Sequence, residues 1–251
     1  MAAMAEARPL PAMSLVIPAH NEEQYIVRTL ESVMEARQAC RNPSSIEVIV
    51  VDNCSTDGTA RVAERLGARV VTEEQRRIAS VRNKGAQAAN GRIVRFLDAD
   101  SRITPNMFNA IEAAMASPKC IGGGTMMKFD RTSLGLACTY CITVVPARWL
   151  LGIMGGLIFT EKQTFEAMGG FDESLYCAED SKFALDLKAL ARRTGRKFKI
   201  ITSEYVVTST RAFDRLGDWY YFRNLPRMVL QGQRAFKEKD FGRKFWYDAG
   251  R

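Results

Sequence analysis

Short apolar runs alternate with helix-like segments through the first 115 residues of this 251-residue chain. Four runs rich in valine and isoleucine have the length of buried strands: 14–18, 46–51, 68–71 and 93–97. Residues at helical spacing follow each run, and helices are predicted from the cap-type residue Asn21, around 60–66, over 78–89, and from Thr104-Pro105 to Met115. This alternation predicts an α/β fold, with a Rossmann-like, mostly parallel central sheet flanked by helices.

Polar segments follow the carboxyl ends of three predicted strands. They are Pro18–Glu22, Asp52–Asp57 and Asp98–Asp100. In sheets of this type, ligands bind beyond the carboxyl ends of the strands, where such loops converge. The order of strands and loops therefore predicts one shared site at this edge of the sheet.

The second half of the chain is less regular. Strands are predicted at Ile121–Phe129, Gly155–Thr160 and Ile200–Thr208, and a helix at Phe183–Ala191. Neither an internal repeat nor a clear linker is present, so we expect a single domain over residues 1–251.

The chain has 36 basic and 28 acidic residues and a net charge of +8. This balance favours anionic partners such as nucleotide phosphates, nucleic acid or an acidic membrane surface, although a solvated basic face explains it equally well. Six cysteines without a repeating framework indicate a reducing cytosol. Cys138 and Cys141 are expected to be buried helix residues. The start of the chain lacks the features of a signal peptide, so a cytoplasmic location is expected.

Two segments bear on contact with a membrane. The apolar stretch 133–159 is long enough to span one, but Pro146, Arg148 and several glycines interrupt it, which favours an internal or surface-lying helix. Further on, basic and aromatic residues mix in the tail: Arg211, Arg215, Trp219, Tyr220, Tyr221 and Arg223. They either pack as a basic amphipathic helix or face a membrane or lipid-phosphate acceptor. Peripheral contact at the inner face of a membrane is therefore the alternative to a purely cytoplasmic location.

Asp98-Ala99-Asp100 ends the apolar run Ile93–Leu97. Two carboxylates one residue apart make a hard oxygen site suited to Mg²⁺ or Mn²⁺. An ion in such a site can bridge a diphosphate and stabilise the charge on a leaving nucleotide. Alone, the triplet is weak evidence, because acids at strand ends are often solvated loop residues.

Four segments occur in a fixed order: PAHNEE after the first strand, VDNCSTDGT after the second, then RIASVRNKG and FLDAD. Together they resemble glycosyltransferase family 2, from Ser14 to about Gly217. The resemblance implies the GT-A fold and an inverting transfer of a sugar from a nucleotide diphosphate, usually UDP, to an acceptor hydroxyl. It divides the expected domain into a nucleotide-binding half (14–115), a smaller acceptor-binding half (116–213) and a basic aromatic tail (214–251).

The resemblance implies roles in nucleotide binding for several residues. Pro18, Ala19, Asn21 and Glu22 correspond to the segment that lines the nucleoside pocket in the family. Asp52 corresponds to the acid that reads the base, although Asn53 stands where relatives often have a second acid. Arg77 corresponds to the basic residue near the nucleotide, and Arg82 is its competitor.

Asp98, Ala99 and Asp100 correspond to the family's ribose- and metal-binding element. Asp100 is the stronger candidate ligand of Mg²⁺ or Mn²⁺, and Asp98 is expected to contact the nucleotide. Some GT-A enzymes add a later histidine, but this chain has only His20, and Thr208 stands near the expected position. The metal would then rest on Asp100, the diphosphate and water.

The segment GGFDESLYCAED resembles the family's GGFDE sequence and the acidic dipeptide that follows it. Asp180 then corresponds to the general base, which takes the proton of the acceptor hydroxyl. Glu179 and Gly156 correspond to positions that border the acceptor. The alternative is that Glu179 and Asp180 only begin a helix, where acids are favoured.

Processive synthases carry a QxxRW motif, but here Ala235 follows Gln231–Arg234, which favours transfer of a single sugar. The acceptor is not encoded visibly, and a lipid-linked one is among the candidates. Two other functions stay open from the residues. A metal-dependent nucleotidyltransferase would also use strand-end acids, but it usually has a glycine-rich basic loop after the first strand, where this chain has PAHNEE. A basic nucleic-acid-binding module is suggested by charge alone, and no nucleic-acid partner is expected.

Overall fold

The structure is a computed structural model that describes residues 11–146, 157–220 and 222–223. Its strands are β1 (Met13–Ala19), β2 (Ile46–Asp52), β3 (Arg69–Thr72), β4 (Ile93–Phe96), β5 (Ser101–Ile103), β6 (Cys120–Phe129), β7 (Ile158–Glu161) and β8 (Lys197–Thr208). Its α-helices are α1 (Glu23–Gln38), α2 (Thr59–Arg65), α3 (Ile78–Ala88), α4 (Met107–Met115), α5 (Leu134–Pro146), α6 (Lys162–Ala167), α7 (Glu179–Arg193) and α8 (Arg211–Leu216). A 3₁₀ turn at Pro43–Ser45 precedes β2.

The strands of the described residues form one sheet in the order β3-β2-β1-β4-β7-β6-β8-β5. β1 pairs in parallel with β2 and β4, and β2 pairs in parallel with β3, so the predicted parallel part is confirmed. β7 runs antiparallel between β4 and β6, and β5 runs antiparallel to β8, which makes the whole sheet mixed. Strands from both expected halves of the chain lie in this one sheet.

The side chains of β1 alternate between two apolar layers. Leu15 and Ile17 belong to a layer with α1 and α4, whereas Val16 belongs to the layer with α3 and α7. Because both faces of the sheet are covered, the strand is apolar at successive positions. Gly85 lets α3 approach closely, since a Cβ atom there would lie 2.2 Å from Cγ1 of Val16.

Two helices begin later than predicted. α1 begins at Glu23, and Asn21 does not cap it. Asn21 instead has a φ of 51°, and its Oδ1 accepts a hydrogen bond from the backbone amide of Thr56 at 2.7 Å. α4 begins at Met107, beyond the predicted start at Thr104-Pro105. Asn21 therefore links the loop after β1 to the loop after β2 instead of capping α1.

β5 covers only Ser101–Ile103 and was not predicted from the sequence. Its pairing with β8 places Ser101 opposite Thr208. The acidic triplet 98–100 therefore forms a turn between β4 and β5, and the amide of Ser101 donates to the carbonyl of Asp98 at 3.1 Å. This turn links β4, a central strand of the sheet, to β5, the last strand in its order.

The apolar stretch after residue 133 forms α5 as far as Pro146, while 147–156, including Gly156, lie outside the described residues. No helix in the described ranges is both long and apolar enough to cross a membrane. Cys141 on α5 is exposed, so the expectation that Cys138 and Cys141 are both buried was wrong. One side of α5 is open to solvent, as the exposure of Leu134 also shows.

Candidate active site

The loops that follow β1 and β2 are braced against each other by hydrogen bonds. The amide of Asn21 donates to Oγ of Ser55 at 2.9 Å, and the amide of Glu22 donates to Oγ1 of Thr59 at 2.7 Å. With the Asn21–Thr56 bond, these contacts fix the first polar segment onto the second. The predicted nucleoside-pocket residues after β1 therefore lie beside the loop that begins at Asp52.

Asp52 is the last residue of β2 and is buried. The amide of Ser55 donates to its Oδ2 at 3.2 Å, while its Oδ1 is buried without a hydrogen-bond partner. A buried carboxylate oxygen without a donor is costly, so such an atom indicates a missing ligand group. Asp52 therefore presents one unsatisfied acceptor at the carboxyl end of β2.

Asn53 and His20 shape the same corner of the site. Nδ2 of Asn53 donates to the carbonyl of Gln75 at 3.1 Å and to that of Glu73 at 2.5 Å, which holds the segment after β3 in place. Nδ1 of His20 lies 2.8 Å from the carbonyl oxygen of Asn53. Asn53 thus acts here as a donor to the backbone, a role that a second acid at this position would not perform.

The described non-glycine residues with positive φ are Asn21, Cys54 and Ala178, at 51°, 55° and 61°. They lie after β1, after β2 and directly before α7, on the segments that hold the predicted site residues. A left-handed conformation costs most non-glycine residues about 1–2 kcal/mol, and asparagine adopts it more readily than other residues. Strained residues of this kind cluster at functional sites. The backbone strain of the described chain is therefore concentrated around this edge of the sheet.

Arg82, on the buried face of α3, joins the acidic triplet to α7. Its Nη2 lies 2.6 Å from Oδ1 of Asp98, and its Nη1 donates to Oε1 of Glu179. Burial lowers the pKa of Arg82, but the charges of Asp98, Glu179 and Asp180 outweigh this effect and raise it overall. Arg82 is therefore charged and is the central cation of this cluster.

Glu179 and Asp180 begin α7 and differ in their surroundings. Burial raises the pKa of Glu179 from its usual 4.5 to about 7, the charge of Arg82 opposes this rise, and the charge of Asp180 adds to it. Asp180 is half-buried, and its Oδ1 accepts a hydrogen bond from the amide of Ser181 at 2.6 Å. Asp180, Asp98 and Arg82 line one cavity. Two carboxylates from distant parts of the chain therefore face the same space.

Arg211 makes a second arginine contact with the triplet. Its Nε lies 3.0 Å from Oδ2 of Asp100, and its Nη2 lies 2.6 Å from Oε1 of Glu22. The guanidinium also packs 4.3 Å from the ring centre of Tyr25. Burial lowers the pKa of Arg211, but its bond to Glu22 and the charge of Asp100 raise it overall. Arg211 thus joins the loop after β1 to the acidic triplet.

Arg77 contacts the segment that precedes α7. It directly precedes α3, and its Nη1 and Nη2 donate to the carbonyl of Glu173 at 2.5 Å and to the hydroxyl of Tyr176 at 3.2 Å. These partners belong to the GGFDE segment and the residues after it. Of the two arginines that the sequence analysis compared, Arg82 contacts the acidic triplet and Arg77 fixes the approach to α7.

Packing beneath the site holds the GGFDE segment on α3 and the sheet. Nδ2 of Asn83 donates to the carbonyl of Phe171 at 3.0 Å, and its Oδ1 accepts from the amide of Phe171 at 2.9 Å. The ring of Phe171 contacts those of Phe96, Phe165 and Phe183, with centroids 4.7–5.3 Å apart. This apolar cluster positions the start of α7, and hence Asp180, relative to β4.

Asp98 and Asp100, the predicted metal ligands, would need further ligands from outside the described residues. In the described ranges, no group of three or more histidine, cysteine, aspartate or glutamate side chains could hold an ion. Asp98 and Asp100 each contact an arginine. The protein therefore offers two hard carboxylates rather than a full ligand set. This fits a magnesium-like ion that takes its other ligands from substrate phosphates and water.

The structure brings most of the predicted site residues together. Pro18 and Ala19 end β1 next to Asp52, Ala99 is fixed by a 2.7 Å hydrogen bond from Thr29 on α1 to its carbonyl, and Gly156 lies outside the described residues. Arg211 was not predicted as a site residue, because a histidine was expected near position 208 and Arg211 was placed in the basic aromatic tail. Its membrane-facing role is not supported, since it faces Glu22 and Asp100 instead.

Residues 14–136 match the family described as glycosyl transferase family 2. A validoxylamine A glucosyltransferase of Streptomyces hygroscopicus subsp. limoneus is 36% identical over 115 residues, which is 43% of this chain and 25% of that protein. Two relatives from Bacillus subtilis are likewise matched over only 28% and 37% of their length. The chain thus matches well under half of each of these curated relatives.

Solved structures share the fold at low sequence identity. S. aureus TarS 1–349 has a TM-score of 0.62 at 18% identity, over 94% of this chain and 82% of that one; the same fragment was also solved with UDP-GlcNAc. The mannosyltransferase PcManGT from Pyrobaculum calidifontis, in complex with GDP-Man and Mn²⁺, has a TM-score of 0.59 at 19% identity, over 88% of this chain and 65% of that one. These likenesses show that the chain has the GT-A fold, and its residues 14–136 match glycosyl transferase family 2.

Proposed function

We propose that the protein is an inverting glycosyltransferase that moves a sugar from a nucleotide diphosphate donor to an acceptor hydroxyl. The main support is the pair of arginine contacts that join the acidic triplet to Glu22 on one side and to Glu179 on the other. Asp180 lies in the same cavity as Asp98. A donor site and a basic carboxylate for the acceptor are thus combined at one edge of the sheet.

The donor is a UDP-sugar in this proposal. Oδ1 of Asp52 has no partner and Oδ2 is held by Ser55, so the carboxylate has one unsatisfied oxygen for a base. Uracil presents a single ring N–H group, whereas guanine presents two neighbouring N–H donors that would suit both oxygens of a carboxylate. The base would lie beside Pro18, Ala19 and Asn21, and the ribose beside Asp98.

Mg²⁺ or Mn²⁺ would be held by Asp100, with Asp98 as the second candidate ligand. Acidic side chains outnumber the arginines around the triplet: Glu22, Asp98, Asp100, Glu179 and Asp180 lie near Arg82 and Arg211. A diphosphate adds further negative charge, which a divalent cation offsets. When bound, the ion supplies charge stabilisation to the leaving nucleotide diphosphate.

Asp180 would act as the general base. Its Oδ1 accepts the amide of Ser181, which leaves Oδ2 to accept the proton of the acceptor hydroxyl. As this proton moves to Asp180, the acceptor oxygen attacks the anomeric carbon from the side opposite the leaving group, so the configuration inverts. Glu179 is buried against Arg82 at the first turn of α7. Its proposed place beside the acceptor rests on the family resemblance.

Two further assignments stay predictions. Arg77 would contact the nucleotide only in addition to its bonds with Glu173 and Tyr176, so Arg82 is the better supported of the two arginines. Gly156 is proposed to border the acceptor on the strength of the family resemblance. Transfer of a single sugar to a hydroxyl-bearing acceptor is proposed, and lipid-linked saccharides are one class of acceptor to include in a screen.

The proposal is tested by measuring the release of UDP from a panel of UDP-sugars in the presence of Mn²⁺ and candidate acceptors. Asp180→Asn should lower turnover by about 100-fold or more, because general base catalysis is worth that much, and should leave UDP affinity unchanged. Asp186→Asn on the same helix, whose exposed carboxylate pairs with Lys182, is the matched control and should keep full activity. Normal turnover by Asp180→Asn would show that another group is the base.

A further inference from the structure

Asp100, the main candidate metal ligand, already has a cation of the protein beside it. Nε of Arg211 lies 3.0 Å from Oδ2 of Asp100, and the exposed fractions of the two side chains are 10% and 15%. Glu22, the other partner of Arg211, is 1% exposed. The pair is thus shielded from water, and a charge in this position strongly neutralises Asp100.

The contacts of Arg211 leave one of its nitrogens unsatisfied. Nε and Nη2 face Asp100 and Glu22, and the plane of the guanidinium packs on Tyr25. Nη1 is buried and has no hydrogen-bond partner. A buried N–H group without an acceptor is unfavourable, and an incoming phosphate oxygen would remove that penalty.

Arg211 and its two acidic partners lie outside the extended strands and the long helices. Arg211 is the first residue of the short helix α8, and the extended sheet ends at Thr208, three residues earlier. Its partners Asp100 and Glu22 are loop residues, whereas Arg82 extends from the middle of α3 into a packed core. Of the two arginines at the triplet, Arg211 is therefore the one suited to change partners.

We propose that Arg211 competes with the divalent ion for Asp100, so that the ion binds appreciably only together with a diphosphate. Without a donor, Arg211 neutralises Asp100 and excludes the ion. A diphosphate offers oxygens to Nη1 of Arg211 and to the ion at once, which releases Asp100 to act as a ligand. Metal and donor affinities are then coupled through one side chain, and by thermodynamic linkage each strengthens the other equally. This inference rests on the proposed function.

The test measures Mn²⁺ affinity by the electron paramagnetic resonance signal of the free ion, with and without UDP. Wild-type protein should bind Mn²⁺ weakly alone and about tenfold or more tightly with UDP, in the range usual for coupled sites. Arg211→Gln should bind Mn²⁺ without UDP about tenfold more tightly than wild type, and UDP should then strengthen binding much less. Adding Asp100→Asn to Arg211→Gln should abolish this gain.

Arg131→Gln is the matched control, because Arg131 also contacts two aspartates, Asp214 and Asp218, but lies outside the site. It should bind Mn²⁺ as wild type does. If Arg211→Gln does not fold, Arg211→Lys, which keeps the charge but loses the Nε contact, should show an intermediate gain. An Mn²⁺ affinity without UDP that is unchanged or weaker in the folded Arg211 variant overturns the inference.

The same titrations separate this inference from the proposed function. If UDP binds to wild-type protein but the Arg211 variants show no gain in Mn²⁺ affinity, only the competition is wrong. If UDP binds to no variant, with or without Mn²⁺, the proposed donor is wrong, while the comparison of Mn²⁺ affinities without nucleotide still decides whether Arg211 masks Asp100.

Discussion

Nη2 of Arg82 lies 2.6 Å from Oδ1 of Asp98, and the arginine side chain is only 5% exposed. The same guanidinium contacts Glu179, which is almost fully buried. The first residue of the acidic triplet and the first residue of α7 are therefore held by one cation. We therefore expect Arg82 to contribute to the free energy of unfolding and to balance the negative charge of Asp98 and Glu179.

Replacing Arg82 should destabilise the protein strongly. Arg82→Met leaves two carboxylates without their cation, and breaking a buried pair in this way costs about 3–5 kcal/mol. Urea unfolding followed by circular dichroism measures the loss. Arg92→Met, which removes an exposed arginine 3.1 Å from Glu161, is the control and should cost less than about 1 kcal/mol. Equal losses in the two variants would show that the Arg82 cluster is not a buried ionic unit.

The buried position of Glu179 predicts a pH dependence of stability. Its pKa is raised from 4.5 to about 7 in the folded protein, so the folded state binds a proton more tightly than the unfolded state does. The stabilisation from this group is complete below its unfolded pKa and is lost as pH rises towards the folded pKa.

Unfolding free energies measured between about pH 4.5 and pH 7 should therefore fall less steeply with rising pH in Glu179→Gln than in wild type, because glutamine does not titrate. The Glu173→Gln variant serves as a control, since Glu173 is a half-buried neighbour in the segment before α7. Identical slopes for wild type and Glu179→Gln would contradict the raised pKa.

The unsatisfied oxygen of Asp52 predicts a loss of uridine recognition on substitution. Asp52→Asn keeps the shape of the side chain but replaces a charged acceptor, so UDP affinity should fall about tenfold, as expected for a charge-assisted hydrogen bond. Isothermal titration calorimetry measures this change. Asp57→Asn, on the same loop but exposed, should keep wild-type affinity. An equal loss in both variants would remove Asp52 from the base-binding position.

The parts of the fold that depend on local hydrophobic pattern could be predicted from the sequence. β1, β2 and β4 are mostly apolar runs, which is typical of strands covered on both faces, although Glu47 and Arg95 interrupt β2 and β4. The loops after these strands were correctly expected at one edge of the sheet. β5 was missed because its three residues become a strand only by pairing with β8. Such pairing depends on contacts more than 100 residues apart.

Side-chain partners were harder to predict than elements. The sequence could not show whether Arg77 or Arg82 points into the site, since Arg77 precedes α3, Arg82 lies in its middle, and only tertiary packing decides which of them reaches the acidic triplet. Arg211 and Asp100 are likewise far apart in the chain, and a charged pair at such separation has no local signature. The resemblance identified Asp98, Asp100 and Asp180 and left Arg82 as a candidate, but the contacts of Arg82 and Arg211 with the acidic residues came from the structure.

We propose above all that the edge of the sheet around Asp52 and Asp98 binds a nucleoside diphosphate. The most direct test is the thermal unfolding of the protein with UDP, ADP and GDP, each with and without Mn²⁺. UDP with Mn²⁺ at about 100 times its dissociation constant should stabilise the protein by about 2.7 kcal/mol and shift the midpoint more than the other nucleotides do. An unchanged midpoint with every nucleotide, at saturating concentration and with Mn²⁺ present, would contradict the account.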